Sequence, residues 1–142
     1  NRRCLFLRIA GVMGIIDFSI IVLHLVMDWR SPYLAVFFCL LALTASTASI
    51  TVPLMHETND PDKAGSAISI MNFVSFIFVA ILGNVVGYLM NLHAPLRDAS
   101  GVLVYSRGSY LAVFLVLLTL SFFSANSAWR LQETMGKRRK VR

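Results

Sequence analysis

Asp17 and His24 are the two ionisable side chains set deep in the first apolar run of the chain, seven residues apart. Seven residues make two helical turns, so both fall on one face of a helix. An acid at that depth costs roughly 2.5–3.5 kcal/mol to place in lipid unless it is paired or hydrated. Two roles follow for Asp17. It either carries a proton, with His24 as its relay, or forms a buried hydrogen bond to a neighbouring helix. A second set is Thr44, Thr47 and Thr51, which recur at helical spacing on one face. Their hydroxyls suit the lining of a cavity for a polar solute, or they bond back to their own helix carbonyls or to the next helix. No nucleophile stands beside a base and no phosphate-binding loop is present, so catalytic residues are not expected. Met55, His56 and Met71 lack the spacing of metal ligands, and neither a metal nor a cofactor is expected. Cys4 and Cys39 lie in separate apolar runs and read as small buried hydrophobes rather than a disulfide pair.

The elements that must position these residues follow from composition. Of 142 residues, 57% are hydrophobic and 14% charged, about half the charge that a soluble domain carries. That places the chain in the membrane class. Four apolar runs of bilayer length predict helices over about 4–27, 33–55, 61–91 and 109–130, one polytopic all-α membrane domain spanning 1–142 with a basic tail at 131–142. Arg8 lies near the start of the first run, where it can reach back to the headgroups. Trp29 and Tyr33 anchor the first turn at the surface. Pro53 is placed to kink or close the second helix. Residues 91–108, with Pro95, Gly101 and Gly108, read as an exposed loop.

The third helix has the strongest start: Asp60 as N-cap, Pro61 in the first helical position and Asp62 at the positive end of the dipole. Gly65, Ser69, Asn72, Phe76, Ala80, Gly83 and Gly87 form a narrow stripe along it, and all but Phe76 are small or polar. With Gly83 and Gly87 in GxxxG spacing, that stripe is expected to be a helix-packing edge.

The net charge of +6 does not point to nucleic acid, because the basic residues sit at the segment ends and in the tail. With four crossings, Arg2, Arg3, Arg8, Lys63, Arg130, Lys137, Arg138, Arg139, Lys140 and Arg142 share one side, against Arg30, Arg97 and Arg107 on the other. The positive-inside rule then puts both ends in the cytoplasm of a plasma or inner membrane. The KRRKVR tail serves as a topology anchor or a contact for anionic lipid. The chain starts on Asn1 and enters an apolar run at once, as a piece of a longer protein or a trimmed product would.

Three short motifs carry a resemblance. Glu57-Thr-Asn-Asp-Pro61-Asp-Lys-Ala-Gly65, leading into a helix with Asn72, Gly83 and Gly87, resembles the turn between the tenth and eleventh helices of major facilitator superfamily transporters. Asn1-Arg2-Arg3 resembles the end of that superfamily's loop motif before the ninth helix. Gln132-Glu133-Thr134-Met135-Gly136-Lys137 is similar to the Pro-Glu-Thr-Lys-Gly ending of some members, with Gln132 in place of Pro and Met135 in place of Lys. The resemblance covers the chain as helices nine to twelve. It implies a secondary transporter that moves a small solute by rocking one half against the other. The partners would be the bilayer, the solute and the preceding helices of the same transporter. The second run would line the central cavity, the third would meet the other half, and the first and fourth would face lipid. The alternative is a self-contained four-helix membrane protein. That would be either a proton-coupled exporter resembling the small multidrug resistance family, with Asp17 as its acid, or a scaffold that binds other helices through Gly83 and Gly87.

Overall fold

The computed structural model describes residues 3–29, 32–46, 48–93 and 95–132. They form five helices and a short hairpin: α1 (Arg3–Met27), α2 (Leu34–Ala45), α3 (Ala48–Thr58), α4 (Pro61–Asn91), β1 (Leu96–Arg97), β2 (Leu103–Val104) and α5 (Arg107–Arg130). With α2 and α3 taken as one span, four helical segments are long and apolar enough to cross a membrane. The chain thus has the features of an integral, multi-pass membrane protein.

The second run departs from expectation. Its helix passes through Pro53 and ends at Thr58, while the interruption lies upstream, after Ala45. Hydroxyls account for that position. Thr44 Oγ1 donates to the Leu41 carbonyl at 2.8 Å and Ser46 Oγ to the Ala42 carbonyl at 3.0 Å, while Ser46 N–H turns to Leu43 at 3.2 Å. Side-chain donors thus occupy carbonyls at the end of α2, and the last turn tightens. Pro53 removes only the bond to Ser49, within the first turn and a half of α3.

Helix α4 has the expected bounds but a different start. Asp60 is extended and its side chain makes no cap hydrogen bond. Instead its backbone carbonyl accepts from Lys63 and Ala64 N–H, both at 2.9 Å. Pro61 alone sets the entry of the chain, by its fixed φ. Within the expected loop, β1 and β2 pair antiparallel with Leu96 opposite Val104 and Arg97 opposite Leu103. Gly101 closes the turn at φ +80, a conformation that favours glycine. Helix α5 begins two residues earlier than predicted because Ser106 caps it, its Oγ accepting from Ser109 N–H at 3.3 Å.

The packing centre is the antiparallel pair α1 and α5. Gly11 meets Ala125 near one end and Phe18 meets Phe114 further along, with ring centroids 6.4 Å apart. A Cβ on Gly11 would lie 3.0 Å from Ala125 Cα, so these two backbones approach closely and an added methyl group would have to push Ala125 aside by a few tenths of an ångström. Helix α2 packs along α1, and its Phe38 ring meets Phe114 of α5 with centroids 6.2 Å apart. Helix α4, like the α2–α3 span, has no buried residue in its most apolar window, and Phe73, Phe76, Phe78 and Val79 are all exposed.

Candidate functional site

Two arginines clasp α1 to α5, one at each end. The last turn of any helix leaves carbonyls without partners and carries partial negative charge, which a nearby cation satisfies. Arg8, in the second turn of α1, donates to the Ala128 carbonyl at 3.3 Å and the Leu131 carbonyl at 2.8 Å at the end of α5. Its guanidinium also lies over the Trp129 ring, 5.5 Å from the centroid. Cys4 adds a bond to the Gln132 carbonyl at 3.3 Å. At the other end Arg107, the first residue of α5, donates to the Leu25 and Val26 carbonyls at the end of α1 and pairs with Asp28 at 3.5 Å. Arg8 therefore caps a neighbour rather than reaching out to headgroups, and Arg107 is more than a loop cation.

A third arginine joins two of the short motifs. Arg3 and Glu57 form an ion pair at 2.6 Å, with side chains 29% and 11% exposed. This ties the start of α1 to the end of α3, beside the turn into α4. Pro61 and Gly65 follow on the first turns of α4, where Gly65 is exposed.

Asp17 is buried within the bundle, with 1% of its surface exposed. Its Oδ2 has no hydrogen-bond partner among the described residues, and neither has the shielded Nε2 of His24. The two share a face as the spacing predicts. They do not meet, since two turns separate them by roughly 10 Å along the axis, and Ile21, 1% exposed, stands between them. The expected hydrogen bond from Asp17 to a neighbouring helix is not formed among the described residues.

His24 opens instead into a cavity of about 690 Å³ at the Arg107 end of the bundle. All four spans contribute: Ile21 and His24 from α1, Phe38 from α2, Met90 from α4, and Val113 and Phe114 from α5. Trp29, Tyr105 and Tyr110 line it nearer the surface, and the Trp29 ring meets His24 edge-on at 5.8 Å. Thr44 and Thr51 are not among its lining residues, and Thr44 bonds back to its own helix. Thr47 lies outside the described residues, as do Arg2, Arg30, the end of the Gln132–Lys137 motif and the basic tail. The cavity escaped sequence reasoning because its walls come from four runs, none with a polar periodicity marking it.

The glycine stripe of α4 is placed plainly. Gly65, Ser69, Asn72, Phe76, Ala80, Gly83 and Gly87 are all exposed, and a Cβ on Gly65, Gly83 or Gly87 would meet nothing within 4 Å. Ser69 spends its hydroxyl on the Gly65 carbonyl at 3.0 Å, and Asn84 its amide on the Ala80 carbonyl at 2.8 Å. Among the described residues, no side chain and no backbone outside α4 comes within 4 Å of a Cβ placed at any of the three glycines of this edge. The glycine that does make a close helix contact is Gly11, for which the only sequence sign was its pairing with Gly14 one turn on.

No protein-family model, no curated protein and no solved structure matches this chain.

Proposed function

We propose that this chain is the C-terminal four-helix part of a secondary active transporter of the major facilitator type, moving a small solute by alternating access with both of its ends in the cytoplasm. The bare glycine edge of α4 carries the reading. That helix has 31 residues, its small side chains permit close backbone approach, and none of the described residues occupies the space beside its glycines. A face of this kind suits a rocking contact with the other half of a transporter. The Arg3–Glu57 pair gives further support, because it joins the residues that carry two of the resembling motifs. The α1–α5 pair, clasped at both ends, suits a rigid unit that moves as one.

Proton coupling belongs to the same proposal. Asp17, buried without a partner for Oδ2, is the acid that such coupling would use, with His24 reached through water past Ile21. The test is uptake by the complete protein. Gly83→Leu with Gly87→Leu should abolish transport while the protein still reaches the membrane, and Asp17→Asn should remove its dependence on external pH. Wild-type uptake by the double variant rules out the α4 contact, and an unchanged pH profile makes Asp17 structural. The same bare edge also suits a second copy of the chain, as in a self-contained exporter or scaffold. Disulfide formation between copies at Gly83→Cys would favour that reading.

A further inference from the structure

The hairpin between α4 and α5 has an apolar face that the bundle leaves bare. Leu96 pairs with Val104 and Arg97 with Leu103. Residues directly opposite each other share a face and neighbours along a strand alternate, so Leu96 and Val104 lie on one face and Arg97 and Leu103 on the other. Asp98 N–H donates to the Val102 carbonyl at 2.9 Å, which carries the pairing one position further and brings Val102 onto the first face. Leu96, Val102 and Val104 are 76%, 61% and 51% exposed. Polar groups gather elsewhere on the hairpin. Gly101 N–H closes the turn on the Asp98 carbonyl at 2.8 Å, and the Asp98 carboxylate accepts from Ala99 N–H at 2.7 Å, so that charge is held at the tip.

Tether length and continuity make lipid the occupant of the bare face. β2 ends at Val104 and α5 starts at Arg107. Three extended residues reach at most about 10 Å, so the base of the hairpin stays beside the end of a helix long and apolar enough to cross a membrane. Tyr88 and Leu92, one turn apart where α4 ends, are both exposed and lead toward Leu96. No Asp, Glu, Lys or Arg stands between Tyr88 and Leu96, and apolar surface therefore runs from a span onto the hairpin. Trp29, which lines the same cavity as Tyr105, is exposed at this end too, as rings at a membrane boundary are. A two-stranded hairpin keeps unpaired backbone edges, which bars it from the hydrocarbon core and suits the wetter headgroup layer.

We infer that residues 96–104 form an interfacial anchor, with the Leu96, Val102 and Val104 face seated among the lipid headgroups and the Asp98–Gly101 turn in water. The partner is the lipid surface itself. Tyr105, the next residue, lines the cavity, and Arg107 holds the end of α1, so the anchor fixes the mouth of the bundle against the bilayer. The inference needs only spans that cross a membrane and is independent of the transporter reading.

Single cysteines at Leu96, Val102 and Val104, with Ser100 at the tip for comparison, test it in a Cys4→Ser and Cys39→Ser background. Each full-length variant carries a nitrobenzoxadiazole label in phosphatidylcholine vesicles. Quenching is measured with lipid bearing a nitroxide near its headgroup, and separately with iodide present on both sides. The three face positions should be quenched severalfold more by the nitroxide lipid than Ser100 is, and severalfold less by iodide. Adding Val102→Asp and Val104→Asp should move the Leu96 label toward the Ser100 values at unchanged helicity. Iodide quenching of the face equal to that of Ser100 would put it in water and overturn the inference. Quenching by neither agent would mean that protein, from a second copy or another chain, covers it, and would overturn it equally. So would a Leu96 label that stays lipid-quenched beside both aspartates.

Discussion

Placing a methyl group at Gly11 and at Gly83 in turn separates a helix contact inside the bundle from a face left bare. A Cβ on Gly11 would lie 3.0 Å from Ala125 Cα and 3.2 Å from Ala125 Cβ, whereas one on Gly83 would touch nothing. Alanine gains roughly 0.5–1 kcal/mol over glycine within a helix, and the gain applies at both positions. It cancels in the comparison and leaves the steric cost. Inserting a methyl group against a neighbouring backbone that has to shift costs about 1–3 kcal/mol. Gly11→Ala should therefore be less stable than Gly83→Ala by about that amount, with Gly83→Ala at or above wild type when the chain is studied alone. Leucine in place of alanine should widen the gap, since its branch must also find room between α1 and α5. The assay is reversible unfolding in mixed micelles, followed by a fluorescence distance between probes on the two helices. Equal stability of the two alanine variants would refute the α1–α5 contact. So would Gly83→Ala proving the less stable of the pair.

Further outcomes follow from the same contacts. Arg8→Ala should cost about 1–2 kcal/mol by freeing two carbonyls at the end of α5, and Arg8→Lys should recover less than half, because an ammonium cannot span both carbonyls in a planar fork. Thermal unfolding of the two variants checks this. For Arg3 and Glu57, a double-mutant cycle with Arg3→Gln and Glu57→Gln should yield a coupling of about 1 kcal/mol; additive effects would place the two side chains apart. Asp17→Asn should leave thermal stability within about 0.5 kcal/mol of wild type, whereas Asp17→Leu, which deletes the polar head and adds bulk at a buried position, should lower it by about 1–3 kcal/mol.

Lengths and ends of the apolar runs were legible in the sequence because hydropathy alone sets them. Positions 4–27, 61–91 and 109–130 became α1, α4 and α5 within two residues. The interruption after Ala45 was harder to see, since it comes from serine and threonine hydroxyls competing for carbonyls, while Pro53 drew attention to the wrong place. Asp60 has the residue type of a cap, yet its backbone carbonyl alone takes the N–H bonds. At the level of the site, Asp17 and His24 were legible as ionisable residues inside an apolar run of bilayer length. Their separation by Ile21, and the opening of His24 into a cavity, depend on how α1 meets three other helices. Arg8 and Arg107 illustrate the same limit. Each looks like a surface cation until the partner helix end is known, and 120 or more residues separate Arg8 from the carbonyls it caps. The glycine stripe of α4 shows the converse: the pattern is plain in the sequence, and none of the described residues covers its glycines.

Everything rests on the alternation of four crossings, which puts the turn at Asn59 and the hairpin at Ala99 on opposite sides of a bilayer. Single cysteines at these two positions, in a Cys4→Ser and Cys39→Ser background, can be challenged with a membrane-impermeant maleimide in sealed vesicles of known orientation. The account predicts that one of them is labelled from outside and the other only after the vesicles are opened. Labelling of both from the same side would contradict it.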